Sequence, residues 1–309
     1  MKNKKAVTAI GLAVGITMLA SAAFAGYSTM SGYEAGKTAC KALAENENYT
    51  SELVFSMSVD GEEIMNESVI ELYDRDGEAS LNRTETSYDY FSGETYFQKY
   101  VQDNMSIHVY NNAYNNAYTL IYSANNYGCG AFDLLNGADA EDKKTYDKVI
   151  RFAELACDTF MGDLKNNFVY VSGDDDSATY EINLDAVQIP ELVNAGLSAM
   201  FSSMSEYDDL PYMVLGTDPV VKSASLVFTV DNEGRVKDAA GNITMSGEGH
   251  EAAVDVSLKM YDYGTTEPQR VDTSTLPNVN VISGDGIPTS TGDEAIGGND
   301  EATSIVITE

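Results

Sequence analysis

The chain has 309 residues, with 49 acidic against 18 basic side chains, so its formal net charge is −31. This acid excess excludes a general nucleic-acid binder, because such proteins need clustered Lys and Arg to displace phosphate counterions. Two His and three Cys are too few for a dense zinc site or a disulfide framework, so we predict no metal and no cofactor. The 43% hydrophobic content is typical of a globular protein.

The first 25 residues have the pattern of an export signal. Lys2, Lys4 and Lys5 precede an apolar run, which ends in the small-x-small cleavage pattern Ala23-Phe24-Ala25. An uncleaved membrane anchor is the alternative, because the run is long enough to span a bilayer. We predict a bacterial protein that is secreted or retained in the cell envelope, without stable membrane insertion after cleavage.

Three segments have the periodicity of helices. The first begins at Ser31, whose spacing to Glu34 is that of a capping box. The second covers residues 140–165, where apolar side chains recur at steps of three and four. The third begins at Pro190, a residue that fits the first turn of a helix, and continues to Met204.

Alternation of apolar and polar residues predicts strands through most of the remaining chain. It is clearest at 53–59, where Asp60-Gly61 then supplies a hairpin turn, and at 224–230 and 252–260. Shorter strands are predicted at 64–73, 79–88, 95–101, 105–110, 118–123, 168–172, 179–184 and 236–245. The resulting expectation is an α+β fold, in which an antiparallel sheet of about ten strands packs three main helices on one side.

The last 42 residues, from Pro268, differ in composition from the rest of the chain. They contain no aromatic residue, three prolines, and seven acids against one Arg. Such a segment cannot offset its ordering entropy by burial, so we predict an acidic disordered tail at 268–309 after a folded domain at 26–267. Its removal is predicted to lower the melting temperature by no more than about one or two degrees.

A four-residue repeat places Tyr110, Tyr114 and Tyr118 in an Asn-rich segment, and Tyr122 extends the spacing. Tyr beside Asn suits polar recognition, so a protein or glycan surface is one interpretation. An expanded repeat in an exposed connection is the other. His108 is predicted to lie on the strand face opposite Ile107, as a partly exposed side chain rather than a general base.

Two stretches support a family resemblance. Tyr180 to Met200 is a strand that leads through Gln188-Ile189-Pro190-Glu191-Leu192 into an apolar helix, and Ala224 to Pro268 contains two alternating strands. Together they resemble uncharacterised secreted proteins of the lipoprotein-carrier superfamily, of the LolA and LppX type. That resemblance implies a half-barrel closed by helices over an apolar cavity, in which studied members hold acyl chains.

From these observations we predict non-enzymatic binding of an apolar or amphipathic, lipid-like ligand in the concave face. Flexible Met side chains suit such a cavity, although they could equally fill a solid core. The predicted lining residues are Phe55, Met57, Met161, Met200, Met204, Phe228, Val256 and Met260. The alternative is an envelope interaction or sensing module that uses the acidic Tyr/Asn-rich surface; a hydrolase is a third hypothesis, without a recognisable nucleophile and base.

Overall fold

The computed structural model describes residues 32–44, 46–89, 93–112, 117–123, 168–189, 194, 215–216, 218–282 and 288–289. The predicted export signal at 1–25 lies outside these residues.

One helix and thirteen strands make up the described chain. The helix α1 spans Gly32–Ala44. The strands are β1 (Asn48–Val59), β2 (Glu62–Asp74), β3 (Ala79–Asp89), β4 (Gly93–Gln102), β5 (Met105–Asn112), β6 (Ala117–Ser123), β7 (Phe168–Gly173), β8 (Ser177–Asp185), β9 (Val220–Asp231), β10 (Val236–Gly247), β11 (His250–Tyr261), β12 (Val279–Ile282) and β13 (Pro288–Thr289). A 3-10 turn at Thr273–Thr275 precedes β12.

All thirteen strands belong to one sheet, in the order β13-β12-β6-β5-β4-β3-β2-β1-β11-β10-β9-β8-β7. Two meanders, β1 to β6 and β7 to β11, are joined where β1 pairs with β11. A twisted sheet with this many strands curls rather than staying flat. We call the face that carries α1 and the side chains of Tyr49 and Phe55 the inner face, and the opposite face the outer face.

The eleven strands predicted from alternation are all present, as β1 to β11. Their predicted faces are also confirmed: Phe55 and Met57 on β1 are buried together with Val254 on β11. Asp60 and Gly61 have positive φ angles of 51° and 84°, which fits the tight hairpin expected at this dipeptide. Period-two alternation was therefore a reliable guide to this sheet.

The predicted fold class is wrong. The described residues form a thirteen-stranded sheet with one α-helix of substantial length, and α1 contacts mainly β7, β9 and β10, so it cannot form a second layer across the sheet. The sheet is also mixed, because β12 runs parallel to β6. The second and third predicted helices, at 140–165 and 190–204, lie outside the described residues except for Asn194.

The first predicted helix is confirmed as α1, which packs on the inner face. Ala35, Ala39 and Leu43 are buried against side chains of β7 to β10. The helix begins in very close contact with the sheet: a Cβ at Gly32 would lie 2.9 Å from Cδ1 of Tyr180 and 3.0 Å from Cβ of Phe168. Any larger residue at this position would therefore have to push the first turn away from the sheet.

The segment 263–278, which we call the strap, crosses the outer face between β11 and β12. The Asn48 side chain bonds both the N–H and the carbonyl of Thr266, at 2.8 and 3.0 Å. Farther along, the Gln102 side chain bonds the N–H and the carbonyl of Val271, at 2.8 and 2.9 Å. Each pair of hydrogen bonds satisfies a donor and an acceptor of the strap backbone, which fixes the path of the strap across the sheet.

The predicted domain boundary at 267 differs from the structure. The strap and β12 pack on the outer face, where Val271, Leu276, Val279 and Val281 cover Ile107 and its neighbours Val109 and Ile121. Proline did not prevent this packing, because Pro268 and Pro277 lie in the strap and not within a strand. Residues 283–287 and 290–309 of the predicted tail lie outside the described residues.

Truncation after Glu267 is therefore expected to destabilise the protein, contrary to the estimate from sequence. It would expose Ile107, which is fully buried, and leave the β6 edge without its partner. We expect a loss of about 2–4 kcal/mol, or about 5–10 °C in melting temperature, measured by circular dichroism.

Truncation after Thr289 is the matched control, because it keeps the strap, β12 and β13. It should change the melting temperature by no more than about two degrees. Equal melting temperatures for the two truncated proteins would mean that the strap contributes nothing to stability.

Candidate functional site

The inner face contains two packed apolar clusters. One surrounds Tyr49, Tyr73 and Tyr180 next to α1, and the other surrounds Phe55 and Met245 toward the opposite end of the strands. Between and beside them lies a set of half-buried apolar side chains, which we call the apolar strip: Leu53, Leu184, Leu226, Val256 and Leu258. The strip is the part of the apolar inner face that keeps access to solvent.

A buried glycine divides the strip. Gly241 on β10 is paired in register with Leu226 on β9 and Val256 on β11, and it is itself buried. Leu184 and Leu226 therefore lie on one side of a covered position, and Val256, Leu258 and Leu53 lie on the other side.

The predicted lining residues divide into three groups. Phe55, Met57, Phe228 and Met260 are at most 5% exposed and fill the two clusters. Val256 belongs to the apolar strip. Met161, Met200 and Met204 lie outside the described residues. Of the predicted lining residues that the structure describes, four therefore belong to the packed core of the inner face and one is half-buried.

Across β2, β3 and β4 the inner face becomes charged. The residues concerned, which we call the charged group, are Glu67, Glu71, Arg83, Glu85 and Lys99. Arg83 lies between two carboxylates: its Nε is 2.6 Å from Oε1 of Glu85, and its Nη1 is 3.5 Å from Oε2 of Glu71. Glu71 is only 1% exposed and also accepts a 2.6 Å hydrogen bond from the Tyr49 hydroxyl.

Arg83 is held in its charged form. Burial alone would lower its pKa, but the carboxylates of Glu85 and Glu71 more than offset that effect and raise the pKa of Arg83 above its usual value. A buried arginine with two carboxylate partners is rigid, because moving either partner leaves an uncompensated charge.

Glu67 is in a different situation. Burial, reinforced by the negative charge of Glu85, raises its pKa to about 7 despite the opposing effect of Arg83. Within the described part of the chain, Glu67 makes no hydrogen bond or ion pair. A half-buried carboxylate of this kind can titrate near neutral pH and can accept a positive charge or a hydrogen bond from a ligand.

Aromatic rings continue the inner face across β4, β5 and β6. Phe97, Tyr110 and Tyr118 are paired in register and form what we call the aromatic row. The Tyr110 ring is 5.0 Å from Phe97 and stacks on Tyr118 at 4.9 Å, with 15° between the planes. The row ends beside Glu85, which pairs with Phe97.

His108 lies next to the aromatic row and is confirmed on the face opposite Ile107. Its ring is 5.5 Å from Phe97 and 5.0 Å from Tyr122, and its Nε2 is 2.9 Å from the Ser106 hydroxyl. Burial, together with the positive charge of Lys99, lowers the pKa of His108 to about 4. The ring is therefore neutral at physiological pH.

Three of the four predicted tyrosines lie on the inner face. Tyr110 and Tyr122 are half-buried there and Tyr118 is 39% exposed, so these side chains share the face of the charged group. Tyr114 lies outside the described residues.

Two cavities lie beside the β9–β10 hairpin, away from the apolar strip. The larger measures about 370 Å³ and includes Asp231, Arg235, Lys237 and Tyr263 in its wall; the smaller measures about 110 Å³ and lies against α1. Arg235 is already held by Asp231, at 2.7 Å, and lies 4.7 Å from the Tyr263 ring. This polar lining does not suit an acyl chain.

Within the described ranges, no group of three His, Cys, Asp or Glu side chains is placed to hold a metal ion. No helix of those ranges is long and apolar enough to cross a bilayer.

The charged group was not predicted from the sequence, although the alternation of the strands already placed its charged residues at inward positions. On β3 the buried face is marked by Leu81, and period-two spacing places Arg83 and Glu85 on that same face. Tyr73 marks the face of Glu71 and Glu67 on β2 in the same way. Charged residues at inward positions of paired strands therefore pointed to a buried polar site.

Comparisons with known proteins add little to this geometry. No family model matches the chain, and no curated protein matches it. A crystal structure of Rv2717c from M. tuberculosis is 9% identical, covers 72% of this chain and 97% of its own, and has a TM-score of 0.20. The chain is also similar, at 10% identity in each case, to two further structures.

The first of these is a beta-barrel-like protein of a domain of unknown function from Brucella abortus; 71% of this chain and 100% of that one are covered, with a TM-score of 0.17. The second is an outer membrane lipoprotein-sorting protein domain from Vibrio parahaemolyticus, with 72% and 89% covered and a TM-score of 0.20. All three TM-scores are low, so the function has to be inferred from the residues of the inner face.

Glu67 and His108 are expected to affect stability with opposite dependence on pH. The pKa of Glu67 is raised in the folded state, so Glu67 makes the stability of the protein fall as the pH rises from about 4.5 to 7. The pKa of His108 is lowered, so its contribution is lost as the pH falls from about 6.5 to 4. In the native protein the two effects largely cancel over this range.

Replacing one of the two residues removes its effect, so the pH dependence of stability that the other residue causes becomes measurable. Glu67→Gln should stabilise the protein by about 2 kcal/mol at pH 8 and make it lose stability on acidification below pH 6.5. His108→Gln should instead gain stability on acidification from pH 7. Urea denaturation at half-unit pH steps measures both profiles.

The exposed residue Glu62, on the same strand as Glu67, provides the matched control as Glu62→Gln. This variant should reproduce the profile of the native protein. If the profiles of Glu67→Gln and His108→Gln both run parallel to that of the native protein, the pKa shifts described above are wrong.

Proposed function

We propose that this protein is an exported, non-enzymatic binder of amphipathic, lipid-like ligands, which lie along the inner face of the sheet. The observation that carries the proposal is that the apolar strip and the charged group share one face and adjoin each other. A ligand with an apolar part and a polar end would match both.

Covering the apolar strip with an apolar ligand is energetically favourable. Covering half-exposed Leu and Val side chains contributes roughly 25 cal/mol per Å² of apolar surface removed from water. The partly buried state of Leu53, Leu226 and Leu258 leaves such surface available at the centre of a large sheet. Binding sites for small ligands are commonly lined by apolar side chains, with a few polar groups that fix the orientation of the ligand.

Recognition of an envelope protein or glycan by the tyrosine residues has less support. Tyr110 and Tyr122 are half-buried and face the same interior as the charged group. We therefore assign the tyrosines to the wall of the ligand site. The extracytoplasmic location remains part of the proposal, because it depends on the export pattern of residues 1–25.

Leu226 and Val227 offer a paired test of the binding face. They are consecutive on β9, but Leu226 faces the inner side and Val227, at 37% exposure, faces the outer side. Leu226→Gln should weaken the binding of a fluorescent fatty-acid analogue about tenfold, because it removes about 1.4 kcal/mol of apolar contact. Fluorescence titration provides the affinity.

Val227→Gln is the control and should leave the affinity unchanged. Circular dichroism melting verifies that both variants are folded under the assay conditions. Equal affinity in the two variants, or failure of the native protein to bind any amphiphile, would contradict the proposed function.

A further inference from the structure

The chemistry of the charged group restricts the polar end of the ligand. The group has three carboxylates, on Glu67, Glu71 and Glu85, but two cations, on Arg83 and Lys99. Arg83 bridges Glu71 and Glu85, and Tyr49 donates to Glu71. Three carboxylates against two cations leave the group with a net negative charge, and Glu67 is the carboxylate that takes no part in these contacts.

Glu67 lies beside half-buried residues of the apolar strip. Its register partner Phe55 on β1 is buried in the core, but Leu53, two residues along β1, and Val256, the β11 partner of Phe55, are half-buried. An apolar chain that covers Leu53 and Val256 would therefore place its end group beside the Glu67 carboxylate.

The surroundings of Glu67 favour a positive end group over a negative one. Glu85 adds a second negative charge nearby, and its register partner Phe97 presents an aromatic ring, a group that attracts cations. The formal charge of −31 on the chain also concentrates cationic ligands near its surface and repels anionic ones.

We propose that the ligand is a cationic amphiphile, an apolar chain with a protonated or quaternary amine, whose chain covers Leu53 and Val256 and whose amine pairs with Glu67. This inference rests on the proposed function and specifies the class of ligand. It excludes fatty acids and other anionic amphiphiles as the preferred occupants of the site.

Three probes with the same alkyl chain test the proposal: dodecylamine, dodecanoate and dodecanol. Each is titrated at pH 8 with the native protein, Glu67→Gln and the exposed-site control Glu62→Gln, and binding is measured by isothermal calorimetry. Dodecylamine and dodecanoate are kept below their critical micelle concentrations and dodecanol below its solubility limit. We expect dodecylamine to bind at least about tenfold more tightly than dodecanoate. Glu67→Gln should fold normally, reduce dodecylamine affinity about tenfold and leave dodecanol affinity unchanged. Glu62→Gln should bind all three probes as the native protein does.

The failures of the two proposals are distinguishable. If dodecanoate binds as tightly as dodecylamine, or if Glu67→Gln binds dodecylamine as the native protein does, the cationic ligand class is overturned while amphiphile binding stands. If none of the three probes binds, both the ligand class and the proposed function are overturned.

Discussion

The pairing of β1 with β11 is the interaction on which the rest of the structure depends. It joins strands some 200 residues apart in sequence through ten consecutive residue pairs, from Thr50 with Tyr261 to Val59 with Ala252. Without it, the meander that carries the charged group and the meander that carries most of the apolar strip would be separate sheets. The pairing also places Phe55 opposite Val256, so an apolar surface continues across the junction and ends at Glu67.

The charged group places a polar site within a face that is otherwise core. Arg83 bridges Glu71 and Glu85, and buried ion pairs of this kind commonly contribute little to stability compared with apolar residues of the same size. Glu67 is half-buried outside these contacts, and its raised pKa lowers stability at neutral pH. A sheet that accepts this cost beside a half-buried apolar strip has the composition expected of a binding surface, where function and stability are in conflict.

Much of the sheet could be predicted from the sequence, and the reason is its simple periodicity. Each strand from β1 to β11 alternates clearly enough to fix its position, and residues such as Leu81 identify its buried face. The β12 strand could not be found in this way, because it has only four residues, pairs in parallel and depends on the strap for its position. The fold class was wrong because local helical periodicity does not show how much of the sheet a helix covers.

The site was harder to predict because it depends on register, which alternation alone does not give. Period two places Glu67 and Val256 on inward faces, but only the four pairings between five strands bring Leu226, Val256, Phe55 and Glu67 into register. The sequence also does not show the environment of each side chain in the folded protein. The pKa of Glu67 near 7 results from burial and from Glu85, a residue on the adjacent strand.

The central claim is that an amphiphile occupies the inner face, and methyl NMR on the selectively labelled protein tests it most directly. Dodecylamine is added while the methyl resonances of Leu and Val are monitored. The account predicts that Leu53, Leu226, Val256 and Leu258 shift in a saturable manner, while the outer-face methyls of Val54 and Val227 do not. Saturable shifts confined to Val54 and Val227, or no saturable shift at any of these residues, would contradict it.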